Sequence, residues 1–261
     1  MRCLILISIG LSFTSRSAFS QPVGDTARQT LAISLGANWE TRRDDSASPL
    51  MYSGTGRGTQ IDYTWERAGR SAYASLSAGA LTLAPSRPVS DPQPEEAFST
   101  YTVETGMRWR LPGGPGRTNE LAFGAEFAAS AIVTRHMYED PNQSEQTFFL
   151  GDVTLGPTGR WRRRLGMGIV AATLTVPLLA WVQHPYADVR VANGLANLRY
   201  ASPSQFRQAK GELSYIFRPE DRFGLTAVYH FGLLQIDDLQ PVRSVSQSLS
   251  IAVVTRFGAR P

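Results

Sequence analysis

The chain has 261 residues, with 26 lysines and arginines against 22 aspartates and glutamates. Two of the arginines, Arg2 and Arg16, lie at the N-terminus, so the rest of the chain is close to neutral, which argues against a nucleic-acid partner. The one cysteine, Cys3, also lies there. This excludes a disulfide framework, a thiolate nucleophile and a cysteine metal site from the remainder.

Residues 1–20 have the pattern of a secretory signal peptide. Arg2 precedes a short apolar run over residues 4–13, and Ala18 and Ser20 place small side chains just before Gln21. The run is about ten residues long, whereas a membrane-spanning helix needs about twenty. We expect export with cleavage of residues 1–20, which leaves residues 21–261 as one domain.

Alternation of apolar with polar or small residues recurs along residues 21–261 and predicts β-strands. Leu31, Ile33, Leu35, Ala37 and Trp39 form the first such set. We predict about ten strands, each near the 9–11 residues that a tilted membrane strand needs. They lie at 31–39, 61–65, 71–83, 101–109, 121–127, 149–155, 167–171, 213–217, 223–231 and 249–257.

The predicted connections alternate in length. Residues 66–70, 112–118, 159–164 and 218–221 are short turns rich in glycine, proline and charge, and residues 42–57, 84–97, 135–146, 177–205 and 235–243 are longer. Short periplasmic turns alternating with long external loops are typical of a membrane barrel. Within 177–205, Asn193–Gly194 predicts a hairpin, either a tall one above the membrane or an added pair that makes twelve strands.

Charged residues alternate with the apolar sets on several strands. In a membrane barrel these charges face the lumen, whereas in a soluble periplasmic β-barrel they face water, and alternation alone leaves both open. Aromatic residues near the predicted strand ends and small residues on the charged faces favour the membrane arrangement.

The whole of residues 21–261 resembles small bacterial outer-membrane β-barrels of eight to twelve strands. Residues 249–257, which alternate apolar residues up to Phe257, resemble the C-terminal assembly signal of that class, with the difference that four residues follow Phe257. The resemblance implies an all-β, transmembrane antiparallel up-and-down barrel in the bacterial outer membrane. It also implies the barrel-assembly machinery as a partner, and it transfers no functional residue.

Two candidate sites follow from the barrel prediction. Buried charges are tolerated when they are paired, so we expect an acid–base network that plugs the lumen, in preference to the selectivity filter of a small-solute porin. Its members are Glu104, Arg108, Glu126, Lys210 and Glu212. Aromatic and basic residues of the 177–205 segment predict a contact with outer-membrane lipid or lipopolysaccharide at the outer leaflet. They are Trp181, His184, Tyr186, Arg190 and Arg199.

The sequence gives little support for a catalytic site. His136, Asp140 and Ser144 lie in one predicted loop and would serve a lipid-modifying hydrolase, but a polar loop does not fix the geometry that a triad requires. The three histidines are scattered and show no metal-ligand spacing. We therefore assign no catalytic residue, metal or cofactor, and expect a structural or surface-interaction barrel.

Overall fold

The structure is a computed structural model that describes residues 27–44, 48–86, 95–112, 119–137, 146–183, 198–237 and 241–258. Within these ranges no helix is long and apolar enough to cross a membrane. The predicted signal peptide and the Asn193–Gly194 hairpin lie outside them. The strands in chain order are β1 (Arg28–Asp44), β2 (Ser48–Arg67), β3 (Arg70–Pro85), β4 (Glu95–Arg110), β5 (Asn119–Met137), β6 (Gln146–Leu165), β7 (Gly168–Thr175), β8 (Leu179–Gln183), β9 (Arg199–Ala201), β10 (Phe206–Phe217), β11 (Phe223–Ile236) and β12 (Val242–Phe257).

Ten of these strands close into an antiparallel barrel. β1 to β7 follow one another round the wall, β7 pairs with β10, and β12 returns to pair with β1. The predicted ten-stranded barrel is therefore confirmed. β8 and β9 are additions, because β8 pairs with one half of β6 and β9 pairs with β8 alone. They continue the lines of β7 and β10 along the wall at the loop end and do not widen the ring.

The two ends of the barrel differ in their connections. We call the end with the β2–β3, β4–β5, β6–β7 and β10–β11 connections the turn end, and the opposite end the loop end. The first residue of β1 and the last residue of β12 also lie at the turn end, as the even strand count predicts.

Apolar side chains point out of the barrel and polar ones point in. Ile33 and Leu35 of β1 are 54% and 68% exposed, whereas Ser34 between them is 4% exposed. On β12, Ile251 is 64% exposed and Ser250 is 8% exposed. An apolar belt that encircles a barrel is stable in hydrocarbon and not in water. The alternative of a soluble periplasmic barrel is therefore wrong.

The predicted turn at 159–164 is also wrong. β6 continues through these residues to Leu165, and the chain reverses at Gly166, whose φ is +58°. Arg160 and Arg162 line the interior with Trp161 between them, so the charged run keeps the period of a strand.

The predicted long loop at 42–57 is mostly strand. β1 extends to Asp44 and β2 begins at Ser48, so few residues join them. Glycines in this segment permit close strand contact and do not form a turn. A Cβ atom at Gly56 would lie 1.9 Å from the carbonyl oxygen of Ala80 on β3.

The polarity of the two strand faces changes at the loop end, where large apolar side chains point into the barrel. Tyr52, Leu83, Phe98 and Val242 are buried inside the barrel there, whereas Arg43 on the outer face is exposed. β1 to β6 have 16 to 20 residues, more than a membrane needs. The excess length forms a section beyond the belt with the apolar interior of a water-soluble barrel.

A charge placed in the belt tests this assignment. We expect Ile251→Arg to lower the free energy of unfolding by about 2–4 kcal/mol, because an arginine near the middle of hydrocarbon is poorly solvated. Urea unfolding in lipid vesicles, followed by tryptophan fluorescence, measures the effect. Thr41→Arg is the control, since Thr41 lies on the outer face beyond Trp39. Equal losses for both variants would contradict the position of the belt.

Candidate functional site in the barrel interior

Lys210 links two glutamates in the middle of the lumen. Its Nζ donates a hydrogen bond to Oε1 of Glu104 at 2.7 Å and lies 3.9 Å from Oε1 of Glu126. The three residues come from β10, β4 and β5. Only closure of the barrel brings β10 near the other two strands, since 106 residues separate Lys210 from Glu104.

Glu126 is the most connected member of this group. Its Oε2 accepts hydrogen bonds from the hydroxyls of Tyr73 at 2.5 Å and Thr175 at 3.1 Å. Nη2 of Arg108 lies 3.9 Å from the same oxygen. The carboxylate is 6% exposed, so these donors replace the water that a buried charge loses.

Arg108 is held on two further sides. Its guanidinium lies 4.0 Å from the centroid of the Tyr73 ring, and its Nε donates to the hydroxyl of Thr158 at 3.4 Å. The hydroxyl oxygens of Thr158 and Thr175 lie 3.0 Å apart, within hydrogen-bonding distance. Sequence reasoning missed Tyr73, Thr158 and Thr175. Their inward positions in the period-two pattern were the available signal.

Glu212 lies apart from the other four predicted members. It lines the lumen cavity, but none of the described residues forms an ion pair with it within 4.0 Å. Arg160 is its favourable electrostatic neighbour and Asp62 an unfavourable one. The structure thus brings Glu104, Arg108, Glu126 and Lys210 together in one network and leaves Glu212 on the wall below it.

Arginines connect the walls at the turn end. Nη1 of Arg162 lies 3.1 Å from Oε1 of Glu66 across the lumen. Arg28 donates to the carbonyl oxygen of Pro219, and Arg256 donates to that of Asp221 at 2.7 Å. The last two contacts attach the β10–β11 turn to β1 and β12.

A cavity of about 490 Å³ remains in the lumen beside the network. The wall on β1 and β12 is made of small hydroxyl residues such as Ser34, Ser248 and Ser250, and the opposite wall carries the charges. Toward the loop end the cavity reaches Leu81 and Ile132. Its polar lining suits water and small polar solutes.

The structure bears on metal binding in the described ranges. Within them no group of three or more histidine, cysteine, aspartate or glutamate side chains could hold a metal ion. The side chain of His136 and the whole of Asp140 and Ser144 lie outside the described residues.

The predicted lipid-contact residues are described only in part. The rings of Trp181 on β8 and Tyr200 on β9 meet edge to face with centroids 6.2 Å apart, and both side chains are exposed. Arg199 precedes Tyr200 on β9 and is also exposed. His184, Tyr186 and Arg190 lie outside the described residues.

Comparison with known proteins supports the fold. No family model and no curated sequence matches the chain. Its structure is similar to the outer-membrane protease OmpT from Escherichia coli, with a TM-score of 0.52 and 6% sequence identity over 90% of this chain and 97% of that chain. It is also similar to the translocator domain of autotransporter NalP from Neisseria meningitidis, with a TM-score of 0.45 and 11% identity over 88% of each chain. The attachment invasion locus protein Ail of Yersinia pestis has a TM-score of 0.41 and 11% identity over 88% of this chain and 99% of that chain.

At these sequence identities the comparison informs only about the fold. The similarity to OmpT is the one that supports the fold. Together with the closed ten-stranded ring and the outward apolar belt, it shows that this chain has the fold of a small bacterial outer-membrane β-barrel.

Proposed function

We propose that this protein is a non-conducting outer-membrane barrel whose role lies at its external surface. The observation that carries the proposal is an apolar core that crosses the lumen at the loop end. It consists of two clusters of buried side chains, and Ile132 packs against both. One cluster is Leu150, Ala180, Val182, Phe206, Ile236 and Val242, and the other is Tyr52, Leu81, Leu83 and Phe98.

Two barriers in series oppose the passage of a hydrated solute. The core is mostly apolar, with the side chains of Arg42 and Glu96 buried beside it, and a tightly packed hydrophobic constriction excludes ions because it does not replace their lost water. Below it, the contact of Lys210 on β10 with Glu104 on β4 crosses the lumen, and Arg108 pairs with Glu126 on the adjacent strand β5 beside that contact. A small-solute porin, the alternative function, needs a continuous wet path.

Conductance distinguishes the two functions. We expect the purified protein in a planar phospholipid bilayer to show no stable openings, because both barriers are built from packed strand residues. A ten-stranded barrel without them would open in steps that a single-channel recording resolves. Replacement of Leu83 and Phe98 by serine together with Lys210→Ala gives the matched positive control, since it weakens both barriers. Large, stable openings of the unmodified protein would refute the proposal.

The surface role includes contact with outer-membrane lipid or lipopolysaccharide. Support comes from the exposed Trp181–Tyr200 pair with Arg199, a combination that suits the interface between acyl chains and headgroup phosphates. His184, Tyr186 and Arg190 remain predicted members of this contact. We also propose export by a cleaved signal peptide and recognition of β12 by the barrel-assembly machinery.

A further inference from the structure

Three arginines lie side by side on the outer face near the loop end. Arg43 of β1 is directly opposite Arg243 of β12 in the antiparallel register. Arg243 is in turn opposite Gln235 of β11, and Gln235 is opposite Arg207 of β10. We call these four residues the arginine row. Neighbouring strands are about 4.8 Å apart, so the row spans about 14 Å of the barrel surface.

The arginine row points away from the barrel interior. Arg43, Arg207 and Arg243 are all exposed, and each shares its strand face with lipid-facing residues. On β12 that face continues through Val245, Leu249 and Ile251.

The row concentrates positive charge on the outer face. Like charges directly opposite each other on paired strands are destabilising, as for Arg43 and Arg243. Asp237 offsets part of this charge, since its Oδ1 lies 3.9 Å from Nη2 of Arg243 and its Oδ2 accepts a hydrogen bond from Gln235 at 2.6 Å. Three exposed guanidinium groups on nearby strands can also hydrogen-bond an external anion.

The position of the row relative to the apolar belt indicates which kind of anion it would meet. One step nearer the membrane, two residues or about 7 Å along each strand, the outer face carries Thr41, Val245, Leu233 and Ala209. The step after that includes Trp39 at the upper edge of the apolar belt. Because barrel strands are tilted, the row is inclined to the membrane plane, and the long arginine side chains place their guanidinium groups near the level of the lipid headgroups.

We propose that the arginine row binds phosphate groups of a lipid in the outer leaflet, as on the diglucosamine phosphates of lipopolysaccharide. Guanidinium groups form charge-assisted, bidentate hydrogen bonds with phosphate oxygens, and adjacent arginines can hold one or two phosphates together. The inference deepens the lipid-contact part of the proposed function at a site separate from the Trp181–Tyr200 pair. It does not depend on whether the lumen conducts.

The experiment measures binding of defined lipids to the folded protein in detergent. The probes are lipopolysaccharide with both lipid A phosphates and the same lipid after removal of its phosphates by phosphatase. We expect the phosphorylated form to bind more tightly. Replacing Arg43, Arg207 and Arg243 by glutamine should remove that preference, with a loss of about fivefold in affinity for each arginine near an anionic surface.

A matched variant separates the row from general surface charge. Arg70→Gln with Arg163→Gln and Arg164→Gln removes three exposed arginines at the turn end and should leave lipopolysaccharide binding unchanged. Arg207→Gln alone covers the case in which the triple variant does not fold. Folding is measured by the difference in gel mobility between unboiled and boiled samples. Arg43→Lys and Arg243→Lys should bind with intermediate affinity, because lysine keeps the charge and loses the bidentate geometry.

Three results would overturn the inference. Equal binding of the phosphorylated and phosphatase-treated lipids would exclude phosphate recognition. An equal loss in the turn-end variant would make the effect one of net charge. Full competition by a soluble sulfated oligosaccharide, in place of the lipid, would assign the row to a polyanion outside the membrane. Conductance in phospholipid bilayers that contain no lipopolysaccharide tests the closed lumen independently.

Discussion

Replacing Lys210 by methionine is expected to lower the free energy of unfolding by about 3 kcal/mol. The substitution leaves Glu104 and the buried Glu126 without their shared cation, and removing one partner of a buried ion pair costs about 3–5 kcal/mol. The lower end of that range applies because Lys210 and Glu104 border the lumen cavity, where water can enter. Urea unfolding of protein folded in lipid vesicles, followed by tryptophan fluorescence, gives the value.

Two control variants separate charge from packing at this position. Lys210→Arg keeps the cation and should lose much less stability. The double variant Lys210→Met with Glu104→Gln removes both charges of the 2.7 Å contact. It should recover part of the loss, since no unpaired charge is left at position 104. If Lys210→Met were as stable as the unmodified protein, Lys210 and its glutamates would not form a network that supports the barrel.

Replacing Phe98 by alanine is expected to cost about 3–5 kcal/mol, the range for a large buried aromatic ring. Phe98 is 2% exposed and packs with Leu81, Leu83 and Tyr52 in the core at the loop end. The guanidinium of Arg42, itself buried, lies 5.2 Å from the ring centroid and would lose this cation–π contact. The same unfolding measurement applies.

Phe123 provides a matched control on β5. It is the same residue type on the outward face, 55% exposed to the surroundings of the barrel. Phe123→Ala should cost clearly less in vesicles, because the lipid fills the space that the ring leaves. The reverse order, with the larger loss at Phe123, would contradict an apolar interior at the loop end.

The period-two pattern was sufficient for the number of wall strands and for the place of each along the chain, but not for where the strands end. Side chains alternate between the two faces of a strand, so the set Leu31, Ile33 and Leu35 could be located without any tertiary information. The same pattern extends through Arg160 and Arg162, where charge and nearby glycine misled the turn assignment. The alternation was intact there, and the chain reverses only at Gly166.

The sequence predicted which charged residues face the lumen but not which residues they contact. Glu104, Arg108, Glu126 and Lys210 could be recognised as inward-facing charges from their own strands. Tyr73, Thr158 and Thr175 are less conspicuous because hydroxyl residues are common on any strand. Their role depends on the stagger of neighbouring strands, which sets the residue that each one meets.

By itself, the sequence determined which residues share a face of each strand, and therefore that a closed barrel could form with charges on one side and an apolar belt on the other. Only the tertiary structure decided which face points inward, that the polarity of the two faces changes near the loop end, and that Arg43, Arg207 and Arg243 align across β1, β12, β11 and β10. The physical reason is that alternation within a strand is local. Register between strands is set by closure of the ring, which joins residues as far apart as Arg43 and Arg243.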